Sequence, residues 1–173
     1  MAYKFKTRKY VTTRGHEITL REIPILAISS LRQEYIEAHG DYPKVPTYLS
    51  PTDEVLPLTE NRLDTDEEKE KWQAYKDAAQ EWESGFTQFQ FGFMALEAVV
   101  WDESLESLMD EWEKKSRAMK RSVPEDVYAK RIKFAHTEIF TGLKDMTEIS
   151  RILGELSGAP AQEARKLEGT FSG

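Results

Sequence analysis

Three histidines, His16, His39 and His136, and an alternating acidic run, "DTDEEKEKWQAY" from Asp64 to Tyr75, are the positions where residue type could support metal chemistry. The histidines stand far apart, and "HEIT" at His16 lacks the second histidine that a zinc-binding helix places one turn on. The acidic run matches a calcium loop in its alternating acids. It fails at the turn, where Lys69 stands in place of glycine, and at the last position, where Tyr75 stands in place of the bidentate acid. The chain has no cysteine, which removes disulfides, thiol nucleophiles and thiolate metal sites. No glycine-rich phosphate loop, nucleophile elbow or dinucleotide fingerprint occurs. The closely spaced carboxylates fall on charged helix faces, where they solvate rather than transfer protons. The reading is a chain that is not an enzyme, with no catalytic residues, no metal and no cofactor.

The basic cluster "KKSRAMKR", Lys114 to Arg121, is the one candidate for contact with nucleic acid. It also lies at the C-terminal end of a predicted helix, where cations complement the dipole in any case. A net charge of −7 speaks against a general nucleic-acid surface. The basic N-terminus "MAYKFKTRKY" has no apolar run behind it, and no segment has the length and apolarity of a membrane span. The cysteine-free composition suits a reducing cytoplasm.

The elements that position these residues can be read from punctuation and period. Residues 3–22 alternate β-branched and aromatic residues about Arg14-Gly15, which predicts a hairpin turned at Gly15. Ile23 to His39 reads as a helix, with Ile28, Leu31, Tyr35 and Ala38 recurring at three and four and Gly40 as its stop. Tyr42 to Trp72 then carries prolines 43, 46, 51 and 57. Within it "PTYL" and "EVLPL" flank "SPTD", which predicts a second short hairpin of edge-type strands packed beside the first.

"TDEE" at Thr65 to Glu68 is a capping box that opens a long helix. Its apolar positions run from Trp72 through Tyr75, Ala79, Trp82, Phe86, Phe89, Phe93 and Leu96 to Val100, spaced alternately three and four. Ala78, Gly85 and Gly92 follow at seven-residue spacing, so the helix either packs closely against another element there or bends. Asp102 caps a third helix striped by Leu105, Leu108, Met109, Trp112 and Met119. Ser122 and Glu125 read as a second capping box, opening a fourth helix that Gly142 ends. Asp145 and Glu148 start a fifth, closed by Gly158, and Pro160 opens a short sixth, "AQEARKLE", before the tail "GTFSG".

From Phe86 to Trp101 apolar residues fall on nearly every helical face, which predicts a core helix wrapped by neighbours. The same stretch and the next helix hold more apolar bulk than a few short helices would cover. Methionine and aromatic residues are the types enriched at interface cores. A partner-binding surface is therefore expected around Phe91, Met94, Trp101, Met109 and Trp112.

The ordered series "TTRGHEITLREIP", "PKVPTY", "LDTDEEKEKWQAY", an apolar helix and "EISRILGELSGAPAQEARKLEGTFSG" resembles the small tail assembly proteins, or tail assembly chaperones, of long-tailed bacteriophages. The resemblance spans nearly the whole chain and rests on structural punctuation. It implies a protein encoded near the tape measure protein, which binds that protein's long apolar helical segments in the host cytoplasm until tail subunits polymerise around them. The family has no catalytic residues to carry over.

The expectation is thus an α+β fold, mostly α-helical, with a long central heptad helix, several shorter helices and two small N-terminal β-hairpins. The 173 residues fit one domain, with a hairpin–helix–hairpin part at 1–64, a helical part at 65–168 and a flexible tail at 169–173. The expected partner is the tape measure protein or another tail protein, with a homo-oligomer as a further possibility and no membrane. Two other readings stand behind the assembly factor: a structural subunit retained in the tail or connector, and a nucleic-acid-binding regulator acting through Lys114, Lys115, Arg117, Lys120 and Arg121.

Overall fold

A computed structural model describes residues 5–158. Tyr3 and Lys4 of the first predicted hairpin, the predicted sixth helix and the tail lie outside the described residues. The fold is α+β and mostly helical. In chain order it comprises β1 (Thr7–Val11), β2 (Glu17–Arg21), α1 (Ile25–His39), β3 (Thr47–Leu49), β4 (Val55–Pro57), α2 (Asp66–Glu97), α3 (Glu103–Ala118), α4 (Val127–Phe134), a π-helical turn (Ala135–Ile139) and α5 (Leu143–Leu156). The contacts divide the described residues into two compact units, 5–30 with 90–158 and 31–89. α1 and α2 each supply residues to both units.

The first unit is built on the hairpin β1–β2, antiparallel with Tyr10 opposite Ile18 and Val11 opposite Glu17. Its turn closes through Gly15 N–H donating to Thr12 O at 2.8 Å, with Gly15 at φ +83°, a conformation that glycine adopts without a Cβ penalty. Ile18 and Leu20 are buried on one face while Glu17, Thr19 and Arg21 share the other, the period-two signature of a strand with one covered face. The core joins these two residues to Met94, Val99, Phe134, Ile149 and Leu153, among others.

The apolar pattern of the long helix continues to Val100, but α2 ends at Glu97. Residues 98–100 turn extended and pair with β2: Arg21 N–H donates to Ala98 O at 2.8 Å and Val100 N–H to Thr19 O at 2.9 Å, with Leu20 opposite Val99. Two side chains satisfy carbonyls that the ended helix leaves open. Arg21 Nε donates to Glu97 O, and Trp101 Nε1 donates to Ala95 O at 2.9 Å. A β-branched pair, Val99-Val100, thus serves as a third strand segment beside β2, which helical periodicity conceals.

Two further helix starts differ from expectation. α4 begins at Val127 and is capped by Asp126, whose carboxylate accepts from Ala129 N–H at 2.8 Å, and not by the Ser122/Glu125 box. Val123 precedes Pro124, and the residue before proline is driven out of helical geometry, so a helix cannot start at Ser122. α4 runs on into the π turn, where Phe140 N–H donates to Ala135 O at 2.8 Å. Gly142 is the N-cap of α5, which begins at Leu143, so Asp145 is not its cap.

The second unit packs α1 residues against the N-terminal three-quarters of α2, with the hairpin β3–β4 in the same unit. The predicted capping box is present: Glu68 N–H donates to Thr65 Oγ1 at 3.1 Å, and Thr65 N–H donates to Glu68 Oε2 at 2.9 Å. The backbone N–H groups of Thr65 and Asp64, both donating to its carboxylate, hold the Glu68 carboxyl below its usual range. At 1.5 Å per residue the 32-residue α2 is about 48 Å long. The buried Tyr35 ring meets Trp82 edge-on at 5.1 Å and lies 5.4 and 5.5 Å from Phe86 and Phe89. Trp82 Nε1 donates to Gly40 O at 3.0 Å, which ties the end of α1 to the middle of α2.

Candidate functional site

The five residues expected to form a binding surface lie in or against the core of the first unit. Met94 and Met109 are buried within it. Phe91, Trp101 and Trp112 are half-buried against it. Phe91 packs on His136 at 5.3 Å and Phe140 at 6.1 Å. Trp101 meets Phe134 edge-on at 6.0 Å and carries the Arg131 guanidinium over its ring at 5.1 Å. Trp112 meets the same Phe134 at 5.7 Å. Phe86 and Phe89 pack on Tyr35 in the second unit, and the apolar bulk from Phe91 to Trp112 is spent on a core shared with Phe134, since the pairing of 98–100 with β2 brings in strand residues that helix counting omits.

Among the described residues no group of three or more His, Cys, Asp or Glu side chains could hold a metal ion. His16 faces Glu138 at 3.4 Å, His39 stacks on Tyr35 at 4.4 Å and His136 lies against Phe91, so the three histidines occupy separate surroundings. In the basic run, Arg117 pairs with Glu113 at 2.8 Å, and Lys114, Lys115, Lys120 and Arg121 are exposed. No helix among the described residues is long and apolar enough to cross a membrane.

The polar cluster that sequence reasoning missed centres on Asp145, which is 0% exposed. Its carboxylate accepts from Tyr10 Oη at 2.7 Å, from Thr13 N–H at 2.8 Å, from Thr13 Oγ1, and from Thr141 Oγ1 at 3.1 Å. Burial acts to raise its pKa, but the four donors outweigh it and hold the carboxyl below the ordinary 3.8. Burial and the bond to Asp145 together push the Tyr10 phenol up to about 12. The cluster fastens the hairpin turn to α5 with neutral donors, and a fully satisfied buried acid of this kind specifies packing. The signal was available: Asp145 stands four residues before Ile149 and seven before Ile152, on the buried stripe of α5.

Two of the exposed apolar side chains stand together on β3–β4 in the second unit. Leu49 and Val55 stand opposite each other and are 63% and 66% exposed, with Val45 exposed nearby. Ser50 N–H donates to Glu54 O and Leu58 N–H to Pro46 O, both at 2.8 Å. These bonds make Leu49–Val55 and Thr47–Pro57 the intervening pairs, whose Cα atoms approach to about 4.5 Å. Their side chains form one small apolar face, backed by Tyr48 and Leu56 pointing the other way. Pro57 has no N–H and so blunts the β4 edge against further strand pairing. The face itself is left open.

Comparison with protein-family models, with curated proteins and with solved structures gives no match to this chain.

Proposed function

We propose that this chain is a non-enzymatic assembly factor that covers an apolar helical segment of a partner protein. On the resemblance described above, the partner is the tape measure protein of a long-tailed bacteriophage and the setting is tail morphogenesis in the host cytoplasm. The observation that supports a binding role best is the exposed Leu49–Val55 pair, an apolar face on a short hairpin. Such a face packs against the apolar stripe of a helix as a sheet face does within a domain. Reversible cover of that stripe lowers the concentration of aggregation-prone chain. Since Met94 and Met109 are core residues, the contact is better assigned to Leu49 and Val55 than to the stretch from Phe91 to Trp112.

The test is co-expression with the tape measure protein of the same genome, followed by affinity capture and sizing. The expected result is soluble complex with the wild-type chain, lost in the Leu49→Asp/Val55→Asp variant with its circular dichroism unchanged. Failure to capture, or capture indifferent to the double substitution, overturns the assignment. Detection of the chain in purified particles would instead favour a retained tail subunit.

A further inference from the structure

The two edges of the first hairpin are treated differently. Lys6 O accepts from Glu22 N–H, and Thr12 N–H donates to His16 O, each at 2.9 Å. These two bonds fix the antiparallel alternation, so Arg8 and Tyr10 direct their backbone groups at β2 while Thr7, Lys9 and Val11 direct theirs outward. The far side of β2 is closed by residues 98–100 through Thr19 and Arg21. Among the described residues nothing pairs with the outward groups of Thr7, Lys9 and Val11.

Beside this open edge lies a groove of about 770 Å³, lined by Tyr10, Val11 and Thr13 on one side and by Leu143, Lys144 and Glu148 on the other, with Glu148 paired to Arg151. Val11 is 57% and Leu143 70% exposed. Although the chain carries a net charge of −7, cations outnumber acids here, with Lys6, Arg8, Lys9, Lys144 and Arg151 standing among Glu17, Glu148 and Glu155. Arg8 and Lys9 have acidic partners in Glu155 and Glu17, but Lys6 and Lys144 have no ion pair among the described residues.

We propose that β1 is a strand-addition site for an extended segment of a different protein, one that alternates apolar and acidic residues. Its backbone would complete the row presented by Thr7, Lys9 and Val11, which supplies affinity through main-chain hydrogen bonds. Its alternate side chains on the α5 side would lie over the groove, where Leu143 offers apolar contact and Lys144 a free cation. A second copy of this chain is the poorer occupant. Antiparallel pairing centred on Lys9 sets Lys9 against Lys9, and like charges directly opposite are destabilising. The site lies in the first unit, apart from Leu49 and Val55, and does not depend on the tape measure reading.

The probe is a synthetic nonapeptide of alternating valine and glutamate, compared with its valine–lysine counterpart, titrated into the full chain with amide hydrogen exchange as readout. The glutamate peptide should slow exchange at Thr7, Lys9 and Val11, and the lysine peptide should bind at least about tenfold more weakly. Lys9→Pro removes an outward donor without removing a ladder bond to β2, and should weaken binding about tenfold, the loss of one well-formed hydrogen bond. Lys144→Glu, on the surface of α5, should weaken the glutamate peptide by a similar factor and tests the charge term should Lys9→Pro disturb the hairpin. Binding of neither peptide, equal binding of both, or protection confined to other residues overturns the proposal. So does a free chain that sizes as a dimer with Thr7, Lys9 and Val11 already protected, since the edge would then join two copies.

Discussion

The hydroxyl oxygen of Tyr35 lies 2.1 Å from the point where a Cβ on Gly85 would stand. Gly85 is thus the notch in α2 that admits the Tyr35 ring, and the seven-residue spacing of small residues marks close packing at this position. The ring cannot swing aside, being buried among Trp82, Phe86 and Phe89. Gly85→Ala should destabilise the protein by about 1–3 kcal/mol despite its better helix propensity. In a Tyr35→Phe background the nearest ring atom is 3.3 Å from the added Cβ, and the cost should largely vanish. Urea denaturation of the four proteins in a double-mutant cycle reads the coupling directly.

Gly92, one heptad on, should respond with the opposite sign. A Cβ there would meet Ile132 Cδ1 at 3.4 Å, an ordinary contact, so nothing must move. Gly92→Ala should raise stability by about 1 kcal/mol through helix propensity and reduced freedom of the unfolded chain. An unchanged or lower midpoint in the same denaturation assay would show that the glycine has a different role.

At the end of α3, Lys120 adopts φ +57° and Arg121 N–H reaches back to Ser116 O at 2.9 Å, which closes the helix. Glycine is the residue that this left-handed position favours. Lys120→Gly should therefore stabilise by about 1 kcal/mol, and thermal unfolding at neutral pH is a sufficient check.

Asp145 predicts an acid-labile fastening between the hairpin turn and α5. Its folded pKa lies below the ordinary 3.8, so its contribution is present above that value and is lost as the pH falls through the folded pKa. Asp145→Ala leaves Tyr10, Thr13 and Thr141 without their acceptor and should cost at least about 3 kcal/mol at pH 7. Asp145→Asn cannot titrate, so the stability gap between it and the wild type should shrink as the pH falls below the ordinary 3.8. The Tyr10 phenol, raised to about 12, contributes below pH 10 and loses that contribution as the pH rises through about 12. Tyr10→Phe should flatten the alkaline limb of the stability profile.

The elements legible in the sequence are those governed by neighbours a few residues apart. Gly15 marks the first turn, Thr65 and Glu68 cap α2 between themselves, and Leu105, Met109 and Trp112 trace one face of α3. The failures have partners far along the chain or stereochemistry that a motif match overlooks. Val99 reads as helix until Leu20 is seen opposite it, and Ser122 reads as a cap until Pro124 forbids helical geometry at Val123. Asp145 reads as a capping acid until Tyr10 and Thr13 arrive from the other end of the chain.

By itself, then, the amino-acid order determined a mostly helical α+β protein with two short hairpins and one long capped helix, because hydrogen bonding within a turn and side-chain period are local properties. Only the tertiary structure decided which apolar residues stay in water. Met94 and Met109 are drawn into a core with Phe134, while among the described residues nothing covers Leu49 and Val55 or pairs with the outer edge of β1. Burial depends on which distant segment arrives to cover a side chain, and no local pattern encodes that arrival.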